Sequence, residues 1–152
     1  MSFSTNSTIT MTDFSAKTLD RLSIRDRILG FDRFASPDKH TINTDIVIFI
    51  SHKISTVSEW YLENGKSIKL TPDQLVLGRI LDSSRAAWNA AGEYGVGATV
   101  QVFCGYQSPG RSSYFTETSI VKIQAATQEE VYFIDTMYKN FIVNSVAVKT
   151  TY

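Results

Sequence analysis

Apolar and polar positions alternate through much of the second half of the chain. Over residues 98–106, Val100, Val102 and Cys104 would share one face of a strand, with Thr99 and Gln101 on the other. A period of two residues is typical of a half-buried β-strand. Short connections separate the runs, which favours antiparallel neighbours. Further strands are predicted over 113–124, 131–134 and 141–150.

Residues 44–51 give the clearest single strand. Ile46, Ile48 and Ile50 fall on one face, and Val47 and Phe49 fall on the other. Because both faces are apolar, we expect a central strand that is covered on both sides.

A hairpin is predicted around Asn64-Gly65. This dipeptide favours a two-residue type I′ turn, in which both central residues need a positive φ. The implied register gives three favourable cross-strand pairs: Glu63 opposite Lys66, Tyr61 opposite Ile68, and Trp60 opposite Lys69.

The region 72–91 has the signals of a helix. Thr71-Pro72-Asp73-Gln74 matches a capping box with proline at the first helical position, and Gly92 could end the helix. The alternative is a strand over 74–81 followed by a turn at 82–84. Gly78 favours that alternative, because glycine costs a helix about 1 kcal/mol. We expect the helix.

The first third of the chain has weaker patterns. Residues 1–13 are predicted to form a surface arm or an edge strand, and residues 14–35 form no continuous apolar stripe and are at most partly helical. The whole chain, 1–152, is expected to be a single α+β domain in which β-structure dominates. It would contain an antiparallel sheet or β-sandwich of six to eight strands and one helix near 72–91, with an all-β sandwich as the alternative.

Composition excludes several classes of protein. Fifteen Lys and Arg balance fifteen Asp and Glu without a basic run, so we expect no nucleic-acid partner. One cysteine and two histidines provide no zinc-type spacing, and we expect no metal and no cofactor. The sequence shows no transmembrane segment and no secretory signal. It predicts a cytoplasmic protein, or one released without a classical signal peptide.

No pattern indicates a catalytic site. The glycines of 92–97 follow a predicted helix and precede a strand, the reverse of the order in phosphate-binding loops. Cys104 is expected to be buried and inert, since neither histidine lies in a motif that would generate a thiolate. The carboxylates of Glu59 and Glu63 lie on a predicted hairpin face with no pocket to raise their pKa. The sequence therefore predicts no enzyme.

The best binding candidate is the turn around residues 107–111. Tyr106 and Tyr114 flank this turn, which carries Arg111, and these residue types are over-represented at recognition surfaces. Trp60 on the predicted hairpin is a second exposed aromatic candidate. We expect the three loop residues to form one accessible contact.

These observations predict a non-catalytic, lectin-like binding protein. It would self-associate as a homo-oligomer and recognise a glycan, a lipid headgroup or a protein surface through its loops. One alternative is a structural subunit of a ring, tube or shell, which near-zero net charge permits. The other is a membrane-acting, pore-forming protein that uses residues 14–35 as an amphipathic helix.

Overall fold

The computed structural model describes residues 1–33, 40–105 and 114–150. Within these ranges the chain forms twelve β-strands and two short 3₁₀ turns, Leu19–Arg21 and Ala91–Glu93. The strands are β1 (Phe3–Ser4), β2 (Thr8–Thr10), β3 (Ala16–Thr18), β4 (Arg27–Arg33), β5 (His40–Leu62), β6 (Ser67–Leu70), β7 (Leu75–Arg79), β8 (Ala87–Ala90), β9 (Thr99–Phe103), β10 (Phe115–Thr136), β11 (Asn140–Val143) and β12 (Val146–Lys149).

All strand pairings among the described residues are antiparallel. The two longest strands, β5 and β10, pair with each other from Leu62 opposite Ile120 to Val47 opposite Thr136. The expectation of a β-dominant antiparallel fold is confirmed. The expected number of strands was too low, and none of the described residues forms an α-helix. No described helix has the length and apolarity needed to cross a membrane.

Apolar side chains form two clusters on either side of three short strands. Phe141 and Val143 of β11 belong to one cluster, and the intervening Ile142 belongs to the other. β7 and β12 divide their side chains in the same way. These strands are buried on both faces, so their sequences are runs of apolar residues without alternation.

The predicted helix at 72–91 is wrong, because this region forms β7 and β8. Gly78 of β7 pairs with Ala87 of β8 and with Val100 of β9. A Cβ at position 78 would lie well inside 3.0 Å of the Thr99 carbonyl oxygen, so glycine permits a close approach of strands. The capping-box pattern is a turn, in which Gln74 N donates to Thr71 O at 3.1 Å. The alternative of a strand over 74–81 was nearer to the structure.

The 63–65 hairpin has a three-residue loop, so the predicted type I′ turn is wrong. Leu62 N donates to Lys66 O at 2.8 Å, and Gly65 N donates to Leu62 O at 3.0 Å. Of the two turn residues, Gly65 alone has a positive φ, at 84°. The longer loop shifts the register by one residue. Trp60 therefore lies opposite Ile68, Tyr61 opposite Ser67, and Lys69 opposite Glu59.

The N-terminal residues are part of the fold and do not form a surface arm. β1 lies between β6 and β10, and β2 lies between β3 and β11, so neither is an edge strand. Phe3 is 1% exposed and Ile9 is fully buried. The predicted central strand at 44–51 lies within β5, but Ile48 and Phe49 are about half exposed, so it is not covered on both sides.

Candidate functional site

The turn that connects β6 to β7 contacts both ends of the chain. Ser2 N donates to Thr71 Oγ1 at 2.9 Å, and Thr71 N donates to Ser2 O at 3.0 Å. At the other end of the chain, Gln74 Nε2 donates to Lys149 O at 2.9 Å. We call these residues, together with Asp73 and Thr150, the termini site.

Strand pairing positions the groups of this site. β1 pairs with β6 through Phe3 opposite Leu70, which places Ser2 beside Thr71. β7 pairs with β12 through Leu75 opposite Lys149, which places Gln74 at the end of the C-terminal strand. The short turn joins the two pairings, so it fixes both chain ends together.

Hydrogen bonds link the N-terminal half of the site in series. Thr71 Oγ1 accepts the Ser2 amide proton and donates to Asp73 Oδ1 at 2.7 Å. The terminal ammonium of Met1 also donates to Asp73 Oδ1, at 2.7 Å. Burial acts to raise the pKa of Asp73, but the hydrogen bonds from the ammonium and from Thr71 outweigh it and lower this pKa. Asp73 is therefore a carboxylate at neutral pH.

The C-terminal half of the site is buried, and its polar side chains donate hydrogen bonds to the main chain. Gln74 is 1% exposed, and its Nε2 also donates to Leu75 O at 3.0 Å. Thr150 Oγ1 donates to Ile134 O at 3.0 Å, and Thr150 N donates to Lys139 O at 3.0 Å. Because both side chains donate hydrogen bonds to main-chain carbonyl groups, they hold the strand end in place.

The chemistry of the site is that of a hydroxyl beside a peptide bond. Ser2 Oγ can close a five-membered ring on the carbonyl carbon of residue 1, and Thr71 Oγ1 touches the nitrogen of the same peptide bond. None of the hydrogen bonds given for Ser2 involves an imidazole or a thiol. Among the described residues, no group of three or more His, Cys, Asp or Glu side chains could hold a metal ion.

The binding residues predicted from the sequence lie elsewhere. Trp60 is 2% exposed and packs against the Tyr94 ring at 5.1 Å, so its interpretation as an exposed aromatic is wrong. Tyr114 is partly buried and stacks on Phe103 at 6.4 Å. Tyr106 and Arg111 lie outside the described residues, so the contact of the three loop residues stays a prediction.

Cys104 follows the end of β9 and is partly exposed, which differs from the expected buried position. Its Sγ lies 2.9 Å from Tyr114 O and is the donor of that contact. The strand ends at Phe103, one residue before the cysteine. The Cys104 side chain therefore does not continue the buried face that Val100 and Val102 form.

Sequence reasoning missed Ser2, Thr71 and Gln74. The pattern at Thr71–Gln74 does mark the start of a new element, but that element is the strand β7 and not the predicted helix. The contact of Ser2 with Thr71 spans 69 residues, and the contact of Gln74 with Lys149 spans 75. A local sequence pattern does not indicate contacts between residues that are so far apart along the chain.

Comparison with protein-family models gives no match, and no curated protein sequence matches the chain. Solved structures do match. The Ssp DnaB mini-intein variant M86 superposes with a TM-score of 0.78 at 17% identity, over 97% of this chain and 93% of that chain. The TvoVMA intein gives 0.76 at 14% identity, over 99% and 98%. A bacterial intein-like domain from Clostridium thermocellum gives 0.69 at 14%, over 97% of both.

These likenesses establish the fold and correct the functional expectations. The structural neighbours are protein-splicing domains. This finding contradicts the expectation of a non-catalytic, lectin-like binding protein that self-associates. They favour neither the ring, tube or shell subunit nor the membrane-acting protein. The expectation that the chain is no enzyme is contradicted as well, since inteins catalyse protein splicing.

Proposed function

We propose that this domain processes its own backbone at the peptide bond before Ser2. Ser2 Oγ attacks the carbonyl carbon of residue 1, the bond from that carbon to the Ser2 nitrogen breaks, and an ester forms. The proton that leaves the hydroxyl is taken up by the Ser2 nitrogen, which becomes an amine. The supporting observation is the 2.9 Å hydrogen bond from Ser2 N to Thr71 Oγ1, in a fold shared with inteins.

Thr71 has two roles in this reaction. Its Oγ1 fixes the orientation of the scissile amide, and the hydroxyl lies beside the nitrogen that must gain a proton. The Asp73 carboxylate accepts the Thr71 proton, which leaves an oxygen lone pair directed at the Ser2 N–H. When the reacting groups are already held in the correct orientation, much of the entropy cost of reaching the transition state is removed.

Burial of Ser2 favours rearrangement over hydrolysis. The residue is 2% exposed, and its neighbours in β1 and β6 are buried. Water therefore reaches the carbonyl carbon of residue 1 less easily than the adjacent hydroxyl does, and the attacking group is supplied by the chain itself.

The position of the second chain end also supports self-processing. Gln74 holds Lys149 O from the same turn through which Thr71 holds Ser2. Any segment joined before residue 1 would thus leave the fold next to the end of β12. A domain that acts on its own ends requires such an arrangement, whereas an enzyme for a separate substrate does not.

The reaction is expected to be slow. Positioned general bases contribute roughly 10²–10⁴-fold to rates of this kind. The hydrogen bonds given for Ser2 provide a hydroxyl and main-chain groups but no such base. We expect the ester to accumulate slowly and to be revealed by a strong external nucleophile.

The test fuses a reporter protein ahead of residue 1 and adds hydroxylamine at neutral pH, which cleaves esters much faster than amides. Release of the reporter as a hydroxamate at residue 1, detected by mass spectrometry, is the expected result. Ser2→Ala should abolish release, and Thr71→Val should slow it by tenfold or more. Ser4→Ala is the matched control, since Ser4 is buried like Ser2 but its hydroxyl donates to Glu129 Oε1.

The fusion converts the Met1 ammonium into an amide, and Asp73 then keeps Thr71 as its partner. Absence of release from the unaltered fusion, or equal release from the Ser2→Ala fusion, would contradict the proposal.

A further inference from the structure

A cleft of about 550 Å³ lies at the opposite end of β6 and β12 from the termini site. Its walls include Thr8, Phe14, Lys66, Phe103, Asn144 and Ser145. Lys66 and Ser145 precede β6 and β12, whereas the termini site lies where those two strands end. The cleft has the volume of a small-molecule site and is separate from the candidate processing chemistry.

The cleft carries a local positive charge. Among the described residues that line it, Lys66 is the only Lys, Arg, Asp or Glu. Its Nζ donates to Ser145 Oγ at 2.8 Å, which directs the ammonium along one wall. A cleft whose described lining carries a cation favours an anionic group on its ligand.

The polar wall is held in place by the turn between β11 and β12. Asn144 Oδ1 accepts from Thr8 N at 2.8 Å, and Asn144 Nδ2 donates to Ser67 O at 2.9 Å. Asn144 and Ser145 both have positive φ, 47° and 68°. For serine this conformation costs roughly 1–2 kcal/mol, and it places the Ser145 hydroxyl beside Lys66. The hydroxyl and the ammonium are therefore pre-positioned as donors.

The cleft also has an aromatic lining, formed by Phe14 and Phe103. Phe14 is 47% exposed and has a φ of 69°, which is unusual for a bulky residue. Its ring packs edge-on against Phe103, with centroids 5.5 Å apart. Residues held in strained backbone conformations cluster at ligand sites. An exposed aromatic ring at such a position offers apolar surface that a ligand can cover.

From these four features we propose that the cleft binds a small ligand that combines an anionic group with a flat apolar ring. The anion pairs with Lys66 and the hydroxyl of Ser145, and the ring packs on Phe14 and Phe103. Aromatic carboxylates, aromatic sulfonates and aryl phosphates share this chemistry. The proposal is independent of the processing reaction, because no residue of the termini site lines the cleft.

The probe for the test is 1-anilinonaphthalene-8-sulfonate, which carries both features and fluoresces when it is shielded from water. We expect saturable binding with one site per chain. Lys66→Met and Phe14→Asn should each weaken binding at least tenfold, and asparagine tolerates the positive φ at position 14. Lys53→Met is the matched control, since Lys53 is exposed on β5 and does not line the cleft. Thermal melts check that each variant folds.

Two further measurements separate this site from general adsorption of dye. The uncharged analogue N-phenyl-1-naphthylamine should bind at least tenfold more weakly than the sulfonate. Cys104, which lines the cleft, should be alkylated by iodoacetamide several-fold more slowly in saturating sulfonate. The proposal is overturned by absence of saturable binding, by equal affinity for both dyes, or by folded Lys66 and Phe14 variants that bind like the Lys53 variant.

Discussion

Gly78→Ala tests the close approach of β7 and β9 most directly. The new Cβ would lie well inside 3.0 Å of Thr99 O, and 3.0 Å from both Val100 Cα and Tyr94 Oη. Two of these three atoms belong to the backbone of β9, which cannot move without breaking its pairing with β7 and β10. The side-chain hydroxyl of Tyr94 is held by its bond to Val76 O.

The expected loss of stability is about 3 kcal/mol. Overpacking of a filled core costs about 1–3 kcal/mol, and backbone contacts place this site at the upper end of that range. Displacing the Tyr94 hydroxyl adds about 1 kcal/mol for its hydrogen bond. The smaller entropy of the unfolded alanine chain recovers about 0.4–1 kcal/mol. For a chain of this length the melting temperature should fall by about 6–12 °C.

Urea unfolding followed by circular dichroism measures this free energy, with Gly95→Ala as the matched control. A Cβ at position 95 would meet only Leu81 Cδ1, at 3.3 Å, which is the free end of a flexible side chain. Neither glycine has a positive φ, so the two substitutions differ in packing alone. The same entropy gain applies to Gly95→Ala, so we expect its stability to change by less than about 1 kcal/mol. Equal stability of the two variants would refute the packing argument.

Two further predictions concern Tyr94 and Gly65. Tyr94→Phe leaves Val76 O without its 2.8 Å donor and should cost about 1–3 kcal/mol in urea unfolding. Burial raises the pKa of Tyr94. The stabilisation that the protonated hydroxyl gives the folded state is therefore complete below pH 10 and declines as the pH rises above that value. Between pH 10 and 11 the unaltered protein should lose more stability than the Tyr94→Phe variant. Gly65→Val places a β-branched residue at φ 84°, and we expect a loss of about 1–2 kcal/mol in the same assay; no loss would contradict the described turn.

The sequence by itself determined the β-dominant, antiparallel character of the fold and several of its strands. Alternation over 98–106 corresponds to β9, where Val100 and Val102 are buried between more exposed neighbours. Period-two patterning works there because one face of the strand is apolar and the other is not. The same signal fails at Leu75–Leu77, where three consecutive residues are fully buried because β7 lies between two apolar clusters. A helix and a doubly covered strand are both compatible with such a run.

The local sequence predicted the position of a turn but not its geometry. Asn64-Gly65 correctly marks a turn, but the number of loop residues depends on which cross-strand pairs the neighbouring sheet accepts. The two-residue loop with two positive φ values occurs instead at Asn144-Ser145, which lacks the glycine that signals it. There, the Asn144 side chain stabilises the turn by accepting a hydrogen bond from Thr8 N and donating one to Ser67 O.

Only the tertiary structure decided the candidate sites. Ser2 and Thr71 are brought together because β1 is inserted beside β6, and Gln74 reaches Lys149 because β7 pairs with β12. The cleft around Lys66 likewise joins residues from the start, middle and end of the chain. Strand order places these groups in contact, and strand order depends on how the whole chain buries its apolar surface. A local pattern records the preference of each segment, but it does not record which distant segment becomes its neighbour.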